Sequence, residues 1–541
     1  MLRPSLALSA LACLVLACAR PAPSAAPAAS TDCDTQDQPL SKSAPAPRDR
    51  VAEIDALGER ARELFEVPGL ALAVVHEGEV VIAKGYGERV LGGGEAVDAQ
   101  TNFAIASNSK AFTATAVGLL VADGLVGWDD RVVDHLPDLV LWNDYVTREL
   151  RVRDLLSHRV GLRTWEGDLM WISSKFSFTD IYARLRYLDP PAGLRERYGY
   201  CNLMFAVAGE LIRAKSGQTW EQFVAARLLE PLGMSQAQTT LEGALGVANR
   251  AEPHIQIEGE WQTTPRLDLS AMAAAAAIDA SVEDMAKWMQ MQLANGQLGG
   301  TQVVPAKIIE QTHQPHIWLE TPSEDFYEPA RHLRGYGLGW FLEDYRGRTL
   351  VHHGGGLPGM TSRVLLVPDE ALGVVILTNS ESPVSRLLAF QIADLFLTDE
   401  PGKDYLAAHL AKQAEAEAAR AASESPKPNA KRAPIPAGLE GKYESPLLGL
   451  AEIRSEDGGL VFEATEHGGL RCRFASEAVL PEGAGSPVSV ELPCTWDDPN
   501  MGISEFGLVT KGKRVRELRF SVRPSFYDPL EYSFARARSQ G

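Results

Sequence analysis

The feature that most restricts this chain is a lysine set inside an apolar run. Phe103-Ala-Ile-Ala-Ser-Asn-Ser-Lys-Ala-Phe-Thr-Ala-Thr-Ala-Val-Gly-Leu-Leu120 is rich in alanine after Ser107, carries Val117, Leu119 and Leu120, and has no polar stripe. Such a run reads as a helix buried on most sides. Three residues separate Ser107 from Lys110, which puts the amine one turn beyond the hydroxyl on the same helical face. Burial disfavours the ammonium, so a neutral amine could take the serine proton near neutral pH. The free N–H groups at the helix start would favour negative charge on an oxyanion. The same two residues also fit a capping serine and a lysine that snorkels to water.

A chain of 541 residues is too long for one core and implies two or three domains. Its formal charge of −19 argues against nucleic acid or anionic lipid as the main partner. Six cysteines occur without Cys-x-x-Cys or Cys/His ligand spacing, and His313 and His316 lack an accompanying His-Glu-x-x-His, so no metal site is expected.

Arg3 followed by the apolar run Leu6 to Ala17 has the length of a signal-peptide core and is too short to span a bilayer. Val15-Leu-Ala-Cys18 resembles a lipoprotein box with Cys18 as the lipidated residue, while Ala17-Cys-Ala19 equally fits ordinary signal-peptidase cleavage. Both readings export the protein, as a periplasmic or membrane-anchored form. Ala19 to about Arg48 is a Pro/Ala/Ser-rich tether that cannot build a core. Val51, Ile54, Leu57, Ala61, Leu64 and Phe65 recur at helical spacing and stop at Pro68-Gly69; Leu70 to Val75 and Val80 to Ala83 read as a hairpin turning at Glu77-Gly-Glu79.

Arg151 to Leu162 reads as a helix ending near His158 and turning at Gly161, with Trp165 and Trp171 just beyond as packing or pocket-lining residues. In Arg197 to Ile212 a turn leads into an apolar helix, and Tyr200 and Asn202, two apart, can point the same way. A tyrosine beside an ammonium could relay a proton, and Asn202 offers both donor and acceptor, although a plain capping turn explains the stretch equally. Cys201 between them reads as a small buried residue. Ser281-Val-Glu-Asp284 reads as a helix cap. Leu338 to Leu342, Arg348 to His353, Ser362 to Val367 and Leu372 to Leu377 read as antiparallel strands. Among them, Val351-His-His-Gly-Gly-Gly-Leu-Pro-Gly359 places glycines at a strand end, where a substrate carbonyl could approach the backbone closely.

Taken in order, Ser107-Asn-Ser-Lys110, Tyr200-Cys-Asn202 and His353-Gly-Gly355 resemble the three motifs of the serine β-lactamase and penicillin-binding protein superfamily, in its class C β-lactamase-like branch. Leu155 to Leu162, Glu230-Pro-Leu-Gly-Met234, Gly359 to Ser362 and Val374 to Asn379 echo it, over roughly residues 50 to 400. The resemblance implies an α/β (α+β) fold: an antiparallel sheet flanked by helices, plus a helical subdomain. It implies an exported serine hydrolase acting through a Ser107 acyl-enzyme on an ester, amide or β-lactam carbonyl, or alternatively a penicillin-binding or sensor protein that is acylated without efficient turnover. Ser107, Lys110 and Tyr200 would be catalytic, Asn202 and His353 would bind substrate, and the N–H groups of Ser107 and Gly356, beside Gly355, would form the oxyanion hole. His352 would face away from the site. No cofactor is implied; the partner is a small-molecule or peptide substrate. The family threonine of the third motif is Gly354 here, which weakens the case for β-lactams or D-Ala peptides and leaves room for esters or neutral amides.

Lys403 to Ala422 reads as an exposed helix and Pro426 to Pro436 as a linker. From about Leu439 short strands alternate, Leu470/Cys472/Phe474, Val488/Val490/Leu492/Cys494 and Leu518/Phe520/Val522, with turns at Asp457-Gly-Gly and Lys511-Gly-Lys. This suits a small β-barrel and resembles the lipocalin-like domain appended to this branch. Cys472 and Cys494 fall on inward faces, as a disulfide or as two buried thiols. The expected order is leader 1–18, tether 19–48, hydrolase domain 49–400, helix and linker 401–437, and β-barrel 438–541.

Overall fold

The apolar strand beginning at Leu70 has both faces buried, and this dictates helices on both sides of the sheet. The computed structural model describes residues 49–172, 174–320, 326, 331–399, 402–423, 432–468, 470–479, 490–497, 503–511, 514–522 and 530–537. The leader, the tether and the possible lipidation at Cys18 lie outside them.

Eight antiparallel strands form the main sheet in the order Glu79–Gly87, Gly69–His76, Leu372–Thr378, Met360–Val367, Arg348–Leu357, Phe341–Tyr345, Arg334–Tyr336 and Ile317–Trp318. Because side chains alternate along a strand, Leu70, Leu72 and Val74 face one layer and Ala71, Ala73 and Val75 the other. The first set packs with helices Arg50–Leu64 and Val384–Leu397 through Ile54, Ala61, Leu388 and Phe390. The second packs with helices Ser109–Ala122 and Val282–Leu293, where Phe112 stacks on Trp288 at 3.7 Å between ring centroids. Every residue from Ser109 to Leu120 is buried, as the missing polar stripe predicts. Ser281 caps its helix by accepting the Asp284 N–H at 3.1 Å.

Two expectations are corrected. The segment from Arg151 is a short 3-10 turn, Val152–Leu156, because His158 (φ 54°) and Gly161 (φ 97°) take left-handed backbone and stop any helix. The Asp154 carboxylate, which accepts the Arg151 N–H at 2.8 Å and pairs with Arg159 and Arg195, holds that turn. Of the strand expected at Leu338 to Leu342, only Phe341 and Leu342 are strand, while Leu338 to Trp340 is a turn around Gly339 (φ 77°) joining Arg334–Tyr336 to Phe341–Tyr345.

After helix Tyr405–Ser423 the chain builds a closed barrel. Its strands are Gly441–Ser445, Gly449–Glu456, Gly459–Ala464, Arg471–Phe474, Val490–Trp496, Ile503–Lys511, Arg514–Val522 and Leu530–Arg536. Closure comes from two pairings, Gly441–Ser445 with Leu530–Arg536 and Val490–Trp496 with Ile503–Lys511. Phe462, Phe506, Phe520 and Phe534 fill the interior, and Cys472 and Cys494 are joined as a disulfide. Part of the expected linker, Arg432–Ala433, pairs with Ala478–Val479; Pro426 to Lys431, Val488 and the Gly512-Lys513 turn lie outside the described residues. The barrel docks on the body at Lys175, whose N–H donates to Glu466 O at 2.9 Å, and at Phe176, 5.1 Å from the His467 ring. A cleft of about 640 Å³ between the two is lined by Arg163, Glu166 and Gly167 on one side and by Glu517, Arg519 and Tyr532 on the other. Among the described residues, no helix is long and apolar enough to cross a membrane.

Candidate active site

Ser107 sits on a 3-10 turn, Ala106–Asn108, immediately before the buried helix. Ala106 carries φ 49°, a left-handed conformation that costs a non-glycine residue about 1–3 kcal/mol and persists only where its surroundings enforce it. They do so here. The Ile105 N–H donates to Ile278 O at 2.9 Å, and Ile105 O accepts the Ser362 hydroxyl at 2.7 Å. Asn108 Nδ2 in turn donates to Ser362 Oγ at 2.8 Å. The serine turn is thereby bolted to the strand Met360–Val367.

Lys110 is 0% exposed, with Nζ 3.0 Å from Ser107 Oγ and 2.9 Å from Ala275 O. The Tyr200 and Phe205 rings lie 4.9 and 5.4 Å from Nζ. Burial pushes the amine down to about 7, against the opposing pull of the Asp168 carboxylate. It does not snorkel.

Tyr200 is anchored by its backbone: its N–H donates to Thr164 Oγ1 at 3.1 Å, and its carbonyl accepts the Trp165 N–H at 2.7 Å. The Cys201 N–H donates to His158 Nδ1 at 3.0 Å, and burial pushes the Cys201 thiol up to about 12, as befits a packing residue. Asn202 opens helix Asn202–Ser216 and donates from Nδ2 to Asp168 Oδ2 at 2.7 Å. Trp171 also lies beside Asp168.

His353 is 1% exposed, with Nδ1 2.6 Å from Gly354 O and Nε2 3.0 Å from Tyr336 Oη. A carbonyl only accepts, so Nδ1 carries the hydrogen and Nε2 accepts from the tyrosine. Burial and the Lys110 charge hold the imidazole well below its ordinary value, so it stands in the site as a neutral ring. Its ring stands 6.1 Å from that of Tyr200. His352 turns to Glu343 and Arg363, away from the site, as the alternation of a strand requires.

Gly355 is required by close approach. A Cβ there would stand 2.2 Å from Ile105 O and 2.3 Å from Ser362 Oγ. At Gly356 nothing lies within 4 Å of that position, so the strand edge is open beside the serine turn.

Four groups escaped the sequence reading: His158, Asp168, Ala275 and Tyr336. The His158 ring stands 4.1 Å from Tyr200 and 4.5 Å from Tyr336, tying the tyrosine turn to the sheet. Asp168 and Tyr336 sit in stretches without motif or periodicity, and a backbone carbonyl such as that of Ala275 leaves no mark in a sequence. Chemically, the assembly presents a hydroxyl against an amine poised near neutrality, under an open strand edge. Among the described residues no group of His, Cys, Asp and Glu is arranged to hold a metal.

The family model described as Beta-lactamase matches residues 57–397. The unguisins hydrolase of Aspergillus violaceofuscus is 29% identical over 343 residues, covering 59% of this chain and 59% of its own length. Its counterpart in Aspergillus campestris is 29% identical, covering 63% of this chain and 64% of its own length. The chain thus spans under two thirds of these relatives. Penicillin-binding protein 4 of Amycolatopsis lactamdurans is 30% identical over 59% of this chain and 82% of its own. Two solved structures share the fold. The octameric penicillin-binding protein homologue from Pyrococcus abyssi gives a TM-score of 0.59 at 22% identity, over 90% of this chain and 99% of that one. The D-amino acid amidase of Ochrobactrum anthropi gives 0.54 at 21%, over 68% and 100%. With the match spanning the serine turn, the tyrosine turn and the glycine strand, the chain belongs to the beta-lactamase family of serine hydrolases.

Proposed function

We propose that the protein hydrolyses an uncharged ester or amide carbonyl through an acyl-enzyme on Ser107. The observation that carries this is the fully buried Lys110 amine, 3.0 Å from Ser107 Oγ and lowered to about 7. As a neutral amine it takes the Ser107 proton while Oγ attacks the carbonyl carbon, a general-base contribution of about 10²–10⁴-fold. The N–H groups of Ser107 and Gly356 receive the developing oxyanion, each such donor contributing about 10²–10³-fold. Lys110 and Tyr200 return the proton to the leaving group, and water then releases the acyl group.

Two features favour uncharged substrates. Gly354 has no hydroxyl for a substrate carboxylate, and the neutral His353 brings no positive charge to it. A substrate carboxylate would find neither that hydroxyl nor a histidine cation here. We also propose that the chain is exported; the leader-like first eighteen residues and the Cys472–Cys494 disulfide support an oxidising compartment.

Turnover of p-nitrophenyl esters, D-amino-acid amides and a chromogenic cephalosporin by the wild type and by Ser107→Ala tests the reading. Hydrolysis of the uncharged esters or amides that vanishes in Ser107→Ala is expected. A burst equal to one enzyme equivalent without turnover would assign a penicillin-binding or sensor role instead.

A further inference from the structure

Asp168 is buried, 6% exposed, and has no part in the proton path above. Its Oδ2 accepts the Asn202 amide N–H at 2.7 Å, whereas Oδ1 finds no hydrogen-bond partner of good geometry among the described residues. The indole N–H of Trp171 is a further donor beside that carboxylate, at a geometry short of a full hydrogen bond. A carboxylate held this way in a protein interior is costly unless something compensates it. Its charge acts on Lys110.

We propose that Asp168 is a positioning residue of the acyl-transfer site, fixing which way round the Asn202 amide stands and supplying the counter-charge for Lys110 once that lysine has taken the Ser107 proton. The proposal rests on the hydrolase reading. An ionised carboxylate only accepts hydrogen bonds, so it selects the NH₂ end of Asn202 and turns the amide carbonyl away from itself. In the acylation step the Ser107 O–H bond breaks, an N–H bond forms on Lys110, the Oγ–C bond forms and the carbonyl π pair moves onto oxygen. An ammonium thereby appears in a site with no solvent contact, beside the Ala275 carbonyl and two aromatic rings. An anion at Asp168 attracts the ammonium and not the neutral amine, so it stabilises the transition state more than the ground state.

The other titratable groups around Lys110 supply no such charge. The Cys201 thiol is raised to about 12, His158 and His353 are held neutral by burial, and the Tyr336 phenol is pushed up. Tyr200 belongs to the proton path. Burial raises Asp168 to about 7, so it gains its charge as the pH rises through the same range in which Lys110 loses its own.

The test is the rate of Ser107 labelling by a fluorophosphonate across neutral pH in the full-length wild type, Asp168→Asn and Asp168→Ser, with thermal melts as a folding control. Asparagine matches the shape of aspartate and its carbonyl still accepts from Asn202; serine gives a second uncharged variant should the first fold poorly. Both are expected to label about a hundredfold more slowly at the plateau. Their acid limb is expected at lower pH than in the wild type, because Lys110 without its anion is the weaker base. An acid limb that stays at the wild-type pH overturns the proposal, since a carboxylate that only packs would slow labelling without moving the limb. No labelling of the wild type takes down the hydrolase reading and this proposal with it.

Discussion

Lys110 and the buried histidines owe their charge states to the same cause, removal from water, and each gives a measurable pH dependence. Lys110 is neutral above about 7, so ester hydrolysis should rise with pH through that value and then level off. Lys110→Met is expected to lose about 10²–10⁴-fold in kcat/KM and with it the rising limb, as read in a pH–rate profile. His158 and His353 are held well below 6.5 in the folded chain, and His313 is lowered to about 4 by burial alone. Below the unfolded value near 6.5 the unfolded chain binds protons that the folded chain refuses. Stability should therefore be whole above that pH and decline as the pH falls toward 4. Thermal melts over this range would show it, and His313→Gln should flatten part of the slope.

The strand Arg348–Leu357 shows how one element serves the serine turn through two unlike glycines. Gly355→Ala would drive a methyl into the Ile105 carbonyl and Ser362, so it is expected to cost about 1–3 kcal/mol and to slow Ser107 labelling. Gly356→Ala meets nothing within 4 Å and should fold like the wild type in the same denaturation assay. This contrast was not legible beforehand, because the sequence marks both positions only as glycine. What could be read was periodic: the Leu70 and Leu372 strands from apolar runs, the Ser109–Ala122 helix from its missing polar face, and the Ser107–Lys110 pair from helical spacing. What could not be read depends on contacts between distant segments. Asp168 meets Asn202 across 34 residues, and His158 reaches the Tyr200 turn from a left-handed bend that the surrounding Leu-Leu-Ser-His pattern disguises as helix. The Leu338 to Leu342 misreading has the same origin: an apolar run whose Gly339 turn packs against the Lys110 backbone.

At the scale of the molecule, the barrel interior joins the core on the helical side of the body, beside the loop that carries Asp168. Its disulfide joins cysteines 22 residues apart, a loop whose closure is worth about 3 kcal/mol. Cys494→Ala, or reduction of the wild type, should lower the unfolding free energy by that amount in urea titrations. The central claim, that a buried amine makes Ser107 a nucleophile, is tested most directly by peptide-mapped mass spectrometry of the intact chain after brief fluorophosphonate exposure on either side of neutral pH. A single adduct on Ser107, formed faster as the pH rises through about 7, is the expected result. An adduct on another residue, or labelling of Ser107 at a rate indifferent to pH across that range, would contradict it.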